Sequence, residues 1–257
     1  MIKTTELVKY LNKYLNIYDY QDYGPNGLHI EGKEEISKIA FAVSATKYSI
    51  EEAIKLEADA LIVHHGLFWK FHGVRTITGA FGKRVKPLIQ NDINLLSYHL
   101  PLDAHAEVGN AAGIARRIEL IDTKPFGDHK GSPTGIKGKL KTPLSVGVFG
   151  NALKDILSHN VIVSTYDQEA LIKTVGIITG GANSDWIQAK RDNLDAYITG
   201  EISEHDWHEA KESEMHYFAG GHNATEQFGV QDLMKHLYEK YEDKSLEFFY
   251  IPSDNPA

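Results

Sequence analysis

Residues 59–66 read DALIVHHG, a short apolar run that ends in two adjacent histidines and a glycine. Uninterrupted apolar runs rich in β-branched residues are typical of strands buried on both faces of a parallel sheet. The earlier run IAFAVSA (39–45) predicts another such strand. Between them, SIEEAIKLEA (49–58) has helical spacing, with Ser49 as the predicted N-cap. A strand, a helix and a strand at this spacing predict a βαβ unit.

The same alternation continues along the chain. Further predicted strands cover 93–100, 174–181, 195–201, 215–221 and 246–252, and further predicted helices cover 82–90, 107–118, 183–191, 203–212 and 224–241. DALIVHH (59–65) also resembles DAYITGE (195–201), so each half contains a similar strand. We predict an α/β protein of two similar lobes, with mixed, largely parallel sheets flanked by helices.

The composition changes between residues 124 and 142. KPFGDHKGSPTGIKGKLKT holds four glycines, two prolines and five lysines without an apolar period, which predicts a loop. We place the lobe boundary here, giving an N-terminal lobe of residues 1–124 and a C-terminal lobe of residues 125–257, interlocked with each other. Thr142 followed by Pro143 predicts the start of a helix that runs towards Leu157.

Bulk composition excludes several classes of protein. The 257 residues are 42% hydrophobic and 24% charged, as in soluble globular proteins, and the apolar runs are too short to span a membrane. The absence of cysteine excludes disulfides and thiolate metal sites and is compatible with the cytoplasm, where we expect the protein. A net charge of -8 argues against nucleic acid as a partner, although four lysines between 130 and 141 could form a local basic rim.

Potential metal ligands follow four of the predicted strands. In parallel α/β sheets the carboxyl ends of the strands line the functional crevice, so these side chains could meet despite their separation in sequence. They are His64 and His65, then His99 with Asp103, then Glu201, and finally His222 with Glu226.

His222 and Glu226 form the most informative pair. If a helix starts near Asn223, their i, i+4 spacing places both side chains on one helical face, where they could hold a divalent cation. A solvated surface pair has the same spacing. Asp103 likewise has an alternative role as a turn residue or as the N-cap of the next helix.

The two adjacent histidines point to more than one ion. Neighbouring side chains on a strand point to opposite faces, so His64 and His65 cannot easily chelate one ion, but they can reach two ions side by side. Imidazoles with carboxylates suit zinc, iron, manganese or nickel. The residues therefore predict a dinuclear site with two divalent ions per subunit.

Six segments carry a resemblance to a known family. They are YGPNGLHIEG (23–32), VHHGLFWK (63–70), INLLSYHLPLDAHAEVGNAAGIA (93–115), VGIITGGANSDWIQA (175–189), TGEISEHDWHEA (199–210) and AGGHNATEQFGVQDL (219–233). In order and spacing they resemble the YbgI-type family of dinuclear-metal-centre hexamers, named GTP cyclohydrolase 1 type 2 homologues. Ser44 departs from the pattern, because many relatives carry aspartate there.

The resemblance implies a ligand set and an assembly. The family's metal ligands fall on His64, His65, Asp103, His222 and Glu226, which all have the expected residue types. It also implies two similar α/β lobes with the metal site between them, and a homohexameric ring.

Further residues are candidates for catalysis or substrate binding. Glu201, His99 and His208 are candidate general acids or bases, with Glu201 preferred because it ends a strand as the ligands do. Ser44, Phe68 and Lys70 are candidate contacts to a substrate, although ordinary packing would explain Phe68 equally well.

Two classes of function remain open from the sequence. One is a dinuclear-metal-dependent hydrolase, for which the family name suggests GTP or a related nucleotide as the small-molecule substrate. The other is a metal-binding hexameric scaffold or regulatory protein without turnover. Five protein ligands shared by two ions leave coordination positions for water, which favours the enzyme.

Overall fold

A computed structural model describes residues 1–257, which divide into two compact units. Unit 1 comprises Met1–Leu102 and Val230–Asp254, and unit 2 comprises Asp103–Gly229 and Asn255–Ala257. These units describe where the chain makes its contacts, and the division into lobes of residues 1–124 and 125–257 stays a prediction.

The chain contains short strands that alternate with helices. The strands are β1 (Ile2–Lys3), β2 (Gly27–Ile30), β3 (Glu35–Ile36), β4 (Lys38–Ser44), β5 (Ala60–His65), β6 (Asn94–Ser97), β7 (Leu120–Phe126), β8 (Gly135–Ser145), β9 (Ile162–Ser164), β10 (Leu171–Ile177), β11 (Ala196–Thr199), β12 (His216–Ala219) and β13 (Glu247–Tyr250). The α-helices are α1 (Thr4–Tyr14), α2 (Lys47–Lys55), α3 (Gly79–Gln90), α4 (Leu100–Ala104), α5 (Asn110–Arg117), α6 (Val146–Leu157), α7 (Trp186–Arg191), α8 (Glu204–Glu212) and α9 (His222–Lys240). None of these helices combines the length and apolarity needed to cross a bilayer.

Unit 1 is built on a five-stranded sheet with the order β13-β4-β5-β6-β2. The strands β13, β4, β5 and β6 are parallel, and only β2 runs antiparallel, against β6. Leu61 at the centre of β5 pairs with Ala40 on one side and Leu95 on the other. All three are buried in one core with residues of α2 and α3. Their neighbours Phe41, Ile62 and Leu96, which point to the opposite face, are buried as well, and burial of both faces explains the unbroken apolar character of these strands.

Unit 2 has a six-stranded sheet with the order β7-β8-β10-β11-β12-β9. Its centre repeats the pattern of unit 1, because β10, β11 and β12 are parallel while the flanking strands are antiparallel. Phe149 of α6 packs edge-on against Phe218 of β12, with ring centroids 5.1 Å apart. The predicted α/β class with mixed, largely parallel sheets is therefore confirmed for the chain, with the parallel pairings in most of the unit 1 sheet and at the centre of the unit 2 sheet.

An equivalent aspartate directly precedes a central strand of each unit, namely Asp59 before β5 and Asp195 before β11. Each carboxylate accepts hydrogen bonds from two successive backbone N–H groups of the adjacent segment. The donors are Ser37 and Lys38 for Asp59, and Lys173 and Thr174 for Asp195, at 2.8–2.9 Å. The similarity between residues 59–65 and 195–201 thus extends to the contacts that hold these strands in register.

Three local predictions were wrong. The segment 124–142 is a loop only over residues 127–134, because its first three residues belong to β7 and residues 135–142 belong to β8, and these two strands pair as an antiparallel hairpin. The next helix begins at Val146, with Ser145 as its N-cap, because β8 continues past Thr142 and Pro143. The N-cap of α2 is Thr46, and Ser49 is the third helical residue that completes a reciprocal capping box with it.

Candidate metal centre

Three histidines of unit 1 lie together at the carboxyl ends of its parallel strands. His64 and His65 end β5, and His99 follows β6, the neighbouring strand. One ring nitrogen of each lies within 4.8 Å of the corresponding atoms of the other two. His64 is fully buried, whereas the other two are partly exposed. Strand order therefore brings together residues that are separated by about thirty-five positions in the sequence.

Each of these rings is held through its Nδ1 atom by an oxygen of unit 1. The partners are the carbonyl oxygen of Tyr98 for His64 at 3.0 Å, Oγ of Ser44 for His65 at 3.0 Å, and Oδ1 of Asp22 for His99 at 2.7 Å. Histidines that bind metals are commonly fixed in this way by a hydrogen bond to the other ring nitrogen. The Nε2 atoms are therefore the ones that a metal ion would use.

Unit 2 contains a histidine between two carboxylates. His222 is the first residue of α9, so Glu226 lies one turn further along the same face, with its Oε2 3.2 Å from His222 Nε2. Glu201, which follows β11, accepts a 2.6 Å hydrogen bond from His222 Nδ1. Because the helix begins at His222, the predicted i, i+4 pair faces one site.

Asp103 of unit 2 lies beside Glu226. A carboxylate oxygen of each lies within 4.8 Å of the other, and both side chains are buried. Asn110 Nδ2 and Thr179 Oγ1 each donate to Oδ1 of Asp103 at 2.9 Å, which fixes the carboxylate. Two buried carboxylates at this separation repel each other, and a cation would relieve that repulsion.

Gly180 lets the backbone approach this cluster closely. Its φ is +71°, and a Cβ built there would lie 2.2 Å from Oε1 of Glu226 and 3.1 Å from Nε2 of His222. Glycine adopts this conformation without strain, and a larger residue would require Glu226 to move. The TGG turn after β10 thus has a steric role.

The charges around His222 set its protonation in the metal-free chain. Burial lowers its pKa, but the hydrogen bonds and negative charges of Glu226 and Glu201 outweigh burial and raise the pKa to about 9. A metal ion at Nε2 must displace this proton, so binding would release it near neutral pH.

This raised pKa predicts how the stability of the metal-free protein depends on pH. A group whose pKa is higher in the folded than in the unfolded protein stabilises the folded state. The stabilisation is complete at a pH below the pKa of the unfolded state, and it is lost as the pH rises through the pKa of the folded state. We expect the contribution of His222 to decline between about pH 6.5 and 9. Denaturant unfolding in the presence of a chelator would measure it as the difference between the wild type and His222→Gln. A difference that grows with pH over this window would contradict the assignment.

The other predicted residues have varied environments. Ser44 and Glu201 each bind a candidate ligand ring, and Lys70 donates to the carbonyl oxygen of Asp22 at 2.7 Å. Phe68 packs edge-on against Phe81, with centroids 5.8 Å apart. His208 lies on α8 with its side chain exposed, 3.3 Å from Glu204. Their catalytic and substrate-binding roles stay predictions.

Sequence reasoning missed three residues that fix the candidate ligands, Asp22, Asn110 and Thr179. Asp22 directly precedes the YGPNG motif, and Thr179 and Asn110 lie inside segments that carry the family resemblance. That resemblance was the only signal that could have found them, because none has a distinctive spacing.

The available donors fit divalent metal ions. Unit 1 offers imidazole nitrogens, and unit 2 offers an imidazole with two buried carboxylates. Zinc, iron, manganese and nickel accept this mixture of nitrogen and oxygen. His/Asp/Glu groups that could hold metal are thus present, as the sequence predicted.

Known proteins resemble this chain over its whole length. The family model of Duf34/NIF3 (NGG1p interacting factor 3) matches residues 2–256. A Pasteurella multocida protein named GTP cyclohydrolase 1 type 2 homolog is 44% identical over 253 residues, with 98% of each chain covered. A solved structure described as protein ybgI, of unknown function, has a TM-score of 0.91 at 37% identity, covering 100% of both chains. A Thermus thermophilus crystal structure matches with a TM-score of 0.88 at 32% identity, again over 100% of both chains.

Proposed function

The chain belongs to the Duf34/NIF3 family, and we propose that within it the protein is a dinuclear-metal-dependent hydrolase acting on GTP or a related nucleotide. The family membership confirms the resemblance seen in the sequence motifs. In this proposal two divalent ions are held by a set of five residues, namely His64, His65, Asp103, His222 and Glu226. When bound, such ions supply an acidified water and polarise the bond that it attacks.

The observation that carries the proposal is that side chains able to bind a metal ion lie beside others that are open to solvent. Structural metal sites are closed by protein ligands, whereas catalytic sites keep an open position. Glu226 and Asp103 are buried, but the side chains of His222 and Glu201 are 30% and 47% exposed. A small molecule can therefore reach this cluster, which supports an enzyme over a scaffold.

Glu201 has the properties expected of a proton-transfer residue. One of its oxygens orients His222, while the carboxylate as a whole remains half exposed. It could therefore exchange protons with solvent or substrate without leaving its place. We propose Glu201 as the general acid or base.

The choice of substrate rests on the relatives. Several proteins similar to this chain over nearly their full length carry the name GTP cyclohydrolase 1 type 2 homolog. Because one site can serve different substrates within a family, the first assay should include other purine nucleotides and simple phosphoesters as well as GTP.

A paired assay of metal content and turnover tests the proposal. Metal-loaded wild type should contain about two ions per chain and hydrolyse a nucleotide, whereas His222→Ala should lose at least one ion and about 100-fold or more of the activity. His205→Ala is the matched control, because this histidine of α8 is 61% exposed and lies outside both ligand groups. Full metal loading without turnover on any substrate would contradict the hydrolase and favour a scaffold.

We also propose the homohexamer and the cytoplasmic location that the sequence led us to expect. The hexamer is supported by family membership and the location by the absence of cysteine. Light scattering would test the assembly, and a monomeric mass at micromolar concentration would contradict it.

A further inference from the structure

We propose that His99 is a metal ligand, so that unit 1 presents three imidazoles, and that Asp22 is the positioning residue that fixes its ring. The inference rests on the metal centre of the proposed function but adds a donor outside the five residues assigned there. It concerns metal binding and does not require turnover.

The position of His99 matches that of the other two histidines. All three follow or end neighbouring parallel strands, and their ligand atoms lie within 4.8 Å of one another. Since Nδ1 of His99 is 2.7 Å from Oδ1 of Asp22, Nε2 is the atom available to the cluster. In all three rings Nδ1 lies within hydrogen-bond distance of an oxygen, so Nε2 is the atom that we expect a metal to bind.

Asp22 is built into the fold as an anchor. It is buried, and besides His99 it accepts hydrogen bonds from the backbone N–H groups of Tyr23 and Leu100 at 2.6 and 2.9 Å and from Asn26 Nδ2 at 2.9 Å. Asn26 in turn accepts from the backbone N–H of His99 at 2.8 Å. These bonds tie the YGPNG segment to the end of β6. An aspartate held this firmly offers a fixed acceptor, as carboxylates behind metal-binding histidines do.

Two aromatic rings complete the confinement of His99. Trp69 lies edge-on to its ring with centroids 5.0 Å apart, and Tyr23 lies at 63° with centroids 6.0 Å apart. The imidazole is thus held on both its polar and its apolar sides. Little rotational freedom remains to be lost when a metal binds, which favours affinity.

Histidine-selective ¹⁵N labelling with a zinc titration tests the inference directly. We expect the Nε2 resonance of His99 to move together with those of His64 and His65, while Nδ1 of His99 keeps its proton. His99→Ala assigns the signal by removing it. An unchanged His99 Nε2 resonance while the other histidines respond would overturn the inference and leave the proposed centre intact. If no histidine responded, the metal centre itself would be wrong, and the inference with it.

The role of Asp22 is tested by the same spectra and by zinc affinity. Asp22→Asn should shift His99 away from the single Nδ1–H form and weaken zinc binding by about 10–100-fold in competition with a chelator. The exposed Asp254→Asn is the matched control and should change neither measurement. If Asp22→Asn weakened binding while leaving the His99 tautomer unaltered, the positioning role would be wrong.

Discussion

Asp103→Asn should abolish most of the stabilisation by metal while leaving the metal-free protein nearly as stable as the wild type. The amide keeps an oxygen for the donors Asn110 and Thr179, and it removes one charge of a carboxylate pair within 4.8 Å. We expect the metal-free variant to unfold within about 1 kcal/mol of the wild type, because weaker hydrogen bonds and reduced repulsion offset each other. Metal at about 1,000 times Kd stabilises a protein by about 4 kcal/mol, or roughly 10 °C, and this gain should largely disappear.

Thermal unfolding with and without metal measures both quantities. Asp206→Asn is the matched control, because Asp206 is also buried in unit 2 but accepts from Nε1 of Trp186, outside the ligand groups. It should retain the full metal-dependent shift whatever its effect on basal stability. An Asp103→Asn protein that metal stabilised as much as the wild type would exclude Asp103 as a ligand.

Gly180→Ala should damage both the fold and the metal site. A β-carbon would meet Glu226 Oε1 at 2.2 Å, and the φ of +71° is one that alanine adopts only with strain. The backbone strain alone costs about 1–2 kcal/mol, so with the displacement of Glu226 we expect a loss of at least about 2 kcal/mol. Because the displaced carboxylate is a proposed ligand, zinc affinity should fall by about 100-fold or more.

The neighbouring glycine provides the control. A β-carbon on Gly181 would come no closer than 3.5 Å to His222, an ordinary contact, and its φ is not positive. Gly181→Ala should therefore change unfolding by less than about 1 kcal/mol and leave zinc affinity unaltered. Equal effects in urea unfolding and chelator competition for the two variants would refute the close approach at Gly180.

The core strands were predictable because strands buried on both faces of a sheet require uninterrupted apolar runs. β4 and β5 are buried on both faces, and an unbroken apolar run that contains β-branched residues is typical of such strands. The β7–β8 hairpin was missed because glycines and lysines dominate it. A strand signal was nevertheless present, since Lys137, Lys139 and Lys141 alternate with Ile136, Gly138 and Leu140.

The candidate site was predictable only in part. The i, i+4 spacing of His222 and Glu226 could be recognised in the sequence, and the helix that begins at His222 places both on one face. The bond between Asp22 and His99 spans 77 positions, and no local pattern encodes such a contact. The adjacent histidines show a further limit. Strand alternation predicts that His64 and His65 point apart, yet one ring nitrogen of each lies within 4.8 Å of the other in the structure.

The aspartates that precede β5 and β11 anchor these strands at the ends opposite to the candidate site residues. Asp59 and Asp195 fix the strand register through hydrogen bonds at the amino ends of the strands. The side chains at the carboxyl ends take no part in these hydrogen bonds. One strand then continues into His64-His65 and its counterpart into Gly200-Glu201, without any change in the anchoring that precedes them. Substitutions at the carboxyl ends of these two strands therefore leave in place the carboxylate–backbone hydrogen bonds that anchor their amino ends.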